Sequence, residues 1–131
     1  MPEPLIYSII ESPSHPNFSS LYSHLGFNEV RFSTQRKAIA ALKSQPASLI
    51  VAEFFYGFGS NYAGVNVSNL DVLLMTLRRY SPAAQVIALA QKEQLPHIAK
   101  LEALFTLYKV LPLPCGEAIM TQLLEHYTTK P

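Results

Sequence analysis

The chain has 131 residues, 49% hydrophobic and 15% charged, with a formal net charge of +1; this excludes a disordered chain and fits one domain with a core of its own. So even a charge balance argues against a dedicated nucleic-acid binder, which needs a basic surface against the phosphates, although Arg78-Arg79 forms a local basic pair. A single cysteine, Cys115, excludes an intramolecular disulfide, disfavours a cysteine metal site and fits a reducing compartment.

The first apolar run, Leu5 to Ile10, is too short for a signal peptide or a membrane span, and a cytoplasmic chain with no membrane association is expected. Its near-continuous apolar character suits a strand buried on both faces. Phe18, Leu21, Tyr22 and Leu25 then recur at helical spacing over Ser19 to Leu25, and Gly26 is a natural stop. Glu29 to Phe32 reads as a second strand. Ser33 or Thr34 can cap the next helix, whose stripe is Ala38, Ile39, Ala41 and Leu42. Pro46 breaks the chain before a third strand, Ser48 to Ala52.

The segment 54–67, rich in glycine and aromatic residues, reads as a long loop. Loops of that length are uncommon inside compact domains and often functional. Ser68 or Asn69 caps a helix to about Tyr80, with Leu70, Leu73, Leu74 and Leu77 inward. Asp71 in its first turn and Arg78-Arg79 in its last suit the helix dipole. Gln85 to Ala90 is a fourth strand. Glu93 to Phe105 follows as a helix with Ile98, Leu101, Leu104 and Phe105 on one face, Pro96 being tolerable only near its first turn. Leu107 to Leu111 is a fifth strand, Pro112-Leu113-Pro114 a stiff turn. Gly116 to Tyr127 is a last helix, with Ile119, Met120, Leu123, Leu124 and Tyr127 toward the core. Strands alternating with helices predict an α/β fold: a five-stranded parallel sheet, most simply in the order 2-1-3-4-5, with helices on both faces.

Three stretches carry a resemblance. Pro46 to Glu53, Gln85 to Ala90 and Val110 to Pro114 are similar to the ends of the third, fourth and fifth strands of response-regulator receiver domains, in the flavodoxin-like superfamily. The likeness spans essentially the whole chain. It implies a scaffold that in the family holds Mg²⁺ on an acid pair after the first strand, phosphorylates an aspartate at the end of the third, and reads the phosphate with a hydroxyl and a lysine. At those positions this chain has Ile10 and Glu11, Glu53, Ala90 and Leu113, while Pro114 matches the family's cis proline. One extra methylene displaces the Glu53 carboxylate from an aspartate's position and spoils in-line geometry. Lys109 lies four residues before Leu113 and should not replace the lysine. The resemblance therefore implies the scaffold and argues against the phosphotransfer.

Other readings are weighed beside this. Glu53 as a fixed mimic of a phosphorylated aspartate needs a switch hydroxyl, which Ala90 lacks. Glu11 with Glu53 makes a poor cation site without a third oxygen ligand. Gly57-Phe-Gly59 has no following lysine-serine pair and fails as a phosphate loop. Ser12, Ser14, Ser19 and Ser20 follow the first strand, where flavodoxins hold a phosphate, but Pro13 and Pro16 favour turn and capping roles. His15, His24, His97 and His126 show no metal spacing. Cys115, at a helix start, could have a lowered pKa but has no evident base. The expectation is a non-enzymatic pseudo-receiver with no catalytic residue, cofactor or metal. It would meet a protein partner or itself, as a homodimer, through Phe55, Tyr56, Phe58, Tyr62, Tyr108 and Tyr127. Two alternatives stay open: a flavodoxin-like binder of a nucleotide or other small ligand, and an atypical receiver phosphorylated without the usual acids.

Overall fold

The computed structural model describes residues 4–56 and 68–129, with side chains to Tyr127. Five parallel strands, β1 (Leu5–Ile9), β2 (Asn28–Phe32), β3 (Leu49–Glu53), β4 (Gln85–Gln91) and β5 (Lys109–Leu113), form one sheet in the order β2-β1-β3-β4-β5. The helices are α1 (Ser19–His24), α2 (Gln35–Leu42), α3 (Asp71–Tyr80), α4 (Leu95–Glu102) and α5 (Glu117–Thr129). Among the described residues no helix is long and apolar enough to cross a membrane.

Period-two alternation divides the strands between two cores. Tyr7, Ile9, Ile50, Ala52, Val86 and Ala88 pack against the buried sides of α2, α3 and α4. Ile6, Leu49, Val51, Ile87 and Leu89 pack against Phe18 and Tyr22 on the α1 side and Met120 and Leu124 of α5. Each fully buried Leu or Ile contributes roughly 1.5–3 kcal/mol.

The ends of the elements follow local chemistry. Thr34 caps α2 by accepting the Lys37 N–H at 3.2 Å. Gly26 has φ of +89° and ends α1, with Gly26 N–H donating to Ser23 C=O and Phe27 N–H to Tyr22 C=O. That pair of bonds is the Schellman arrangement, which satisfies carbonyls the helix would leave bare. Ahead of α3, Ser68 Oγ accepts the Leu70 N–H, and Asp71 Oδ1 accepts both the N–H and the hydroxyl of Ser68.

Three expectations are corrected. β5 begins and ends two residues later than expected and runs through Pro112. As an edge strand it has one neighbour, so a proline removes at most one ladder bond. The expected helix from Glu93 splits into a 3-10 turn, Lys92–Gln94, and α4, with Pro96 in the first turn. α4 ends at Glu102, which leaves Leu104 50% exposed rather than inward. Ile119 is 49% exposed, because Met120 and Leu124 already define the buried stripe of α5.

Polar groups between β1, β2 and α1 are knotted around Glu29, which accepts the Ser8 hydroxyl at 2.5 Å and the Ser19 hydroxyl at 2.6 Å. Tyr22 lies beside them, buried, its hydroxyl without a hydrogen-bond partner. Burial first, then the Glu29 carboxylate and Cys115, push its pKa well above the ordinary 10.0; Ser8, whose hydroxyl is given to Glu29, offsets this only in part.

Replacing Gly26 with Ala should cost about 1–2 kcal/mol in urea unfolding, all of it backbone strain, because a Cβ there meets nothing within 4 Å. Tyr22 gives a second expectation. The folded chain keeps this proton above pH 10.0, where the unfolded chain releases it, so stability is full below that pH and falls as pH rises beyond it. Tyr22→Phe should leave stability at pH 7 equal or higher and flatten the alkaline loss, measured by urea unfolding across a pH series.

Candidate functional site

The carboxyl ends of β1 and β3 meet at the point where the strand order reverses, where open α/β sheets place their sites. Glu53 closes β3 and is 1% exposed. It alternates with Leu49 and Val51, so it points to the α1/α5 side of the sheet. The loop after β1 folds over it. Its Oε2 accepts the Glu11 N–H at 2.9 Å and the Ser12 N–H at 3.0 Å, and its Oε1 accepts the Ser12 hydroxyl. Ser12 Oγ in turn accepts the Ser14 N–H at 3.2 Å. Both carboxylate oxygens are therefore engaged by the chain itself. Donors to an ionised acceptor make the stronger hydrogen bonds, and they offset the cost of burying the carboxylate.

The other positions that correspond to receiver chemistry are apolar or turned elsewhere. Ile10 donates its N–H to the Phe32 carbonyl at 2.8 Å. Glu11 is exposed and accepts from Gln35 Nε2 at 3.2 Å and Asn69 Nδ2 at 3.3 Å. Ala90 is fully buried on the opposite face of the sheet from Glu53, within the α2–α4 core. Leu113 ends β5 and packs into the α1/α5 core, and the Leu113-Pro114 peptide is cis. Lys109 starts β5, opposite Ile87, whereas Leu113 lies opposite Gln91. Four residues of strand, about 13 Å, separate them, so the lysine sits at the other end of the sheet. These residues do not fit a Mg²⁺ site: hard divalent ions take six or more oxygens, whereas the Glu53 carboxylate is buried under three donors and Glu11 Oε1 accepts from two amides. Among the described residues no group of three acids, histidines or cysteines is placed to hold a metal.

On the β4 side of this end, Asn69 binds the start of the long loop to its finish. Its Oδ1 accepts the Phe55 N–H at 2.7 Å, its Nδ2 donates to the Glu53 carbonyl at 2.7 Å, and its N–H donates to the Phe55 carbonyl at 3.1 Å. Tyr56 continues outward. Its N–H donates to Gln94 Oε1 at 2.8 Å, and its ring stacks on His97 with centroids 3.9 Å apart. Lys100 Nζ donates to the Tyr56 hydroxyl at 2.8 Å. Chain entering the loop from the Glu53 site is thus fastened to the outer side of α4. Asn69 was expected only as a helix cap and Ser12 only in a turn; Gln94 and Gln35 carried no sequence signal.

The remaining expected residues lie apart. Phe58 and Tyr62 fall outside the described residues, and Phe55 is half-buried. Tyr108 and Tyr127 are half-buried against each other, edge to face at 6.1 Å, and Tyr127 also meets Phe27. Burial pushes the Cys115 thiol up rather than down, which removes the argument for an activated nucleophile.

No protein-family model matches the chain, and no curated protein matches it in sequence. Solved structures do. A response regulator receiver domain protein from Clostridium thermocellum superposes with a TM-score of 0.69 at 14% identity, over 97% of this chain and 95% of that one. A response regulator from Thermotoga maritima gives 0.67 at 14% identity, over 98% and 99%. A CheY-like receiver domain protein from Methanospirillum hungatei gives 0.63 at 10% identity, over 98% and 99%. Identity this low speaks for the fold alone, and the fold of this chain is that of a response-regulator receiver domain.

Proposed function

We propose that the chain is a pseudo-receiver, a non-enzymatic interaction or dimerisation module whose output does not depend on phosphorylation. The observation that carries this reading is the Glu53 carboxylate, buried and engaged at both oxygens by Glu11 N–H, Ser12 N–H and the Ser12 hydroxyl. An acid in that state is closed off from solvent, with donors on both oxygens, so an incoming phosphoryl group or metal would reach it only if the loop after β1 opened. Ala90 and Leu113 supply neither a hydroxyl to read a phosphate nor a charge to pair with it. Contact through the side formed by α4, β5 and α5 is supported by the outward groups there: Leu104, Ile119 and the Tyr56–His97 stack. The edge strand β5 also offers backbone groups for pairing.

A small-ligand reading is favoured by one separate feature. A pocket of about 390 Å³ opens at the carboxyl ends of β1 and β2, with Arg31 and Lys37 around Phe32. Two cations beside an aromatic ring suit a phosphorylated ligand.

Incubating the purified chain with Mg²⁺ and acetyl phosphate should give no phosphoryl adduct in intact mass and no change in sedimentation, with a dimer present in both samples. A stable adduct coupled to a change in size would sink the proposal. A thermal shift with FMN or a nucleoside phosphate, lost in Arg31→Gln, would move the assignment to the ligand-binding reading. Glu53 variants test the buried acid directly. Glu53→Gln keeps an acceptor for the backbone and a donor for Ser12, and should cost under about 1 kcal/mol. Glu53→Ala orphans two N–H groups and should cost about 2 kcal/mol or more in urea unfolding. Equal effects of the two would mean that the loop does not depend on this carboxylate.

A further inference from the structure

A second cavity lies at the amino end of the sheet, near the start of β4 and remote from Glu53. It occupies about 310 Å³ between the end of α3 and the turn after α4. Its apolar wall includes Leu77, Val86 and Phe105. Arg78 supplies its only charge, and no acidic side chain lines it among the described residues. The guanidinium lies over the Phe105 ring, 4.3 Å from the centroid, and donates to the Leu104 carbonyl. Those two contacts fix its plane and use a small part of its five N–H donors. Ser81, 4% exposed, also lines the cavity, and its hydroxyl has no hydrogen-bond partner. Its oxygen is out of reach of a water molecule, so what faces the cavity there is the rest of the residue, and Arg78 is the polar group left to meet an occupant.

We propose that this cavity binds a small aromatic carboxylate, independently of the pseudo-receiver reading. A single ring fits a volume at the low end of ligand pockets, about 300 Å³, and would pack on Leu77, Val86 and Phe105. The carboxylate would take the free edge of Arg78, where planar donors match it in a fork. The lone positive wall selects an anion over a neutral molecule of the same shape.

The test is an NMR titration of the full chain with sodium benzoate, and with benzamide as the neutral isostere. Benzoate should give saturable amide shifts at Leu77, Ser81, Val86 and Phe105, and benzamide should bind at least about tenfold more weakly. Arg78→Gln should weaken benzoate by about tenfold or more while leaving benzamide unchanged. Should that variant disturb the contact with Leu104, the comparison of benzoate with benzamide on the parent chain still decides. The proposal is overturned by shifts that do not saturate by about 10 mM, by equal binding of benzoate and benzamide, or by shifts confined to Arg31 and Lys37 at the other end of the sheet.

Discussion

A carboxylate removed from water must be met by donors, and at Glu53 those donors come from the backbone of the loop after β1. That requirement organises the carboxyl end of the sheet. The loop has to turn inward at Glu11 and Ser12, which places Pro13 and Ser14 outside and sets the approach to α1. It also aims the Glu11 side chain away from Glu53, toward Gln35 and Asn69. A receiver that transfers phosphate keeps its acids exposed to an ion and a substrate. Here the same ground is spent on holding two strand ends and a loop together.

The Glu29 knot uses the same solution on the far side of β1. A carboxylate at intermediate depth is satisfied by two hydroxyls, Ser8 from the centre of a strand and Ser19 from the start of α1. Tyr22 shows the limit of that economy: it lies beside this knot, and its hydroxyl makes no hydrogen bond. The α1/α5 side of the sheet therefore carries polar groups near β1, while the opposite core around Leu73, Leu101 and Ala88 takes in Tyr7, whose hydroxyl donates to the Gln45 carbonyl.

The sheet was legible because strands buried on both faces read as unbroken apolar runs, and the regular alternation with helices leaves one simple order. What misled was proline. Pro112 looks like a breaker, yet an edge strand tolerates it, so β5 runs two residues past its expected end. Pro96 starts α4 rather than sitting within a longer helix, and the stripe drawn through Leu104 runs beyond the true end. Ile119 and Met120 are adjacent, and periodicity alone does not say which of them faces inward. At the site, Ile10, Glu53 and Ala90 could be placed near strand ends from the residues. The satisfaction of Glu53 could not be read from them, because backbone N–H groups belong to every residue type and their aim is decided by how the loop closes. Asn69 left a fainter trace: asparagine side chains imitate backbone groups in turns, but nothing in the sequence ties this one to Phe55, fourteen positions earlier.

Asn69 has a consequence for how the chain can vary. The cost of closing a loop grows slowly with its length, and here both ends are clasped by one side chain that supplies a donor and an acceptor as a neighbouring strand would. The end of β3 and the start of α3 are thereby joined through Glu53, Phe55 and Asn69 themselves. One substitution at position 69 would therefore open both sides of that junction at once.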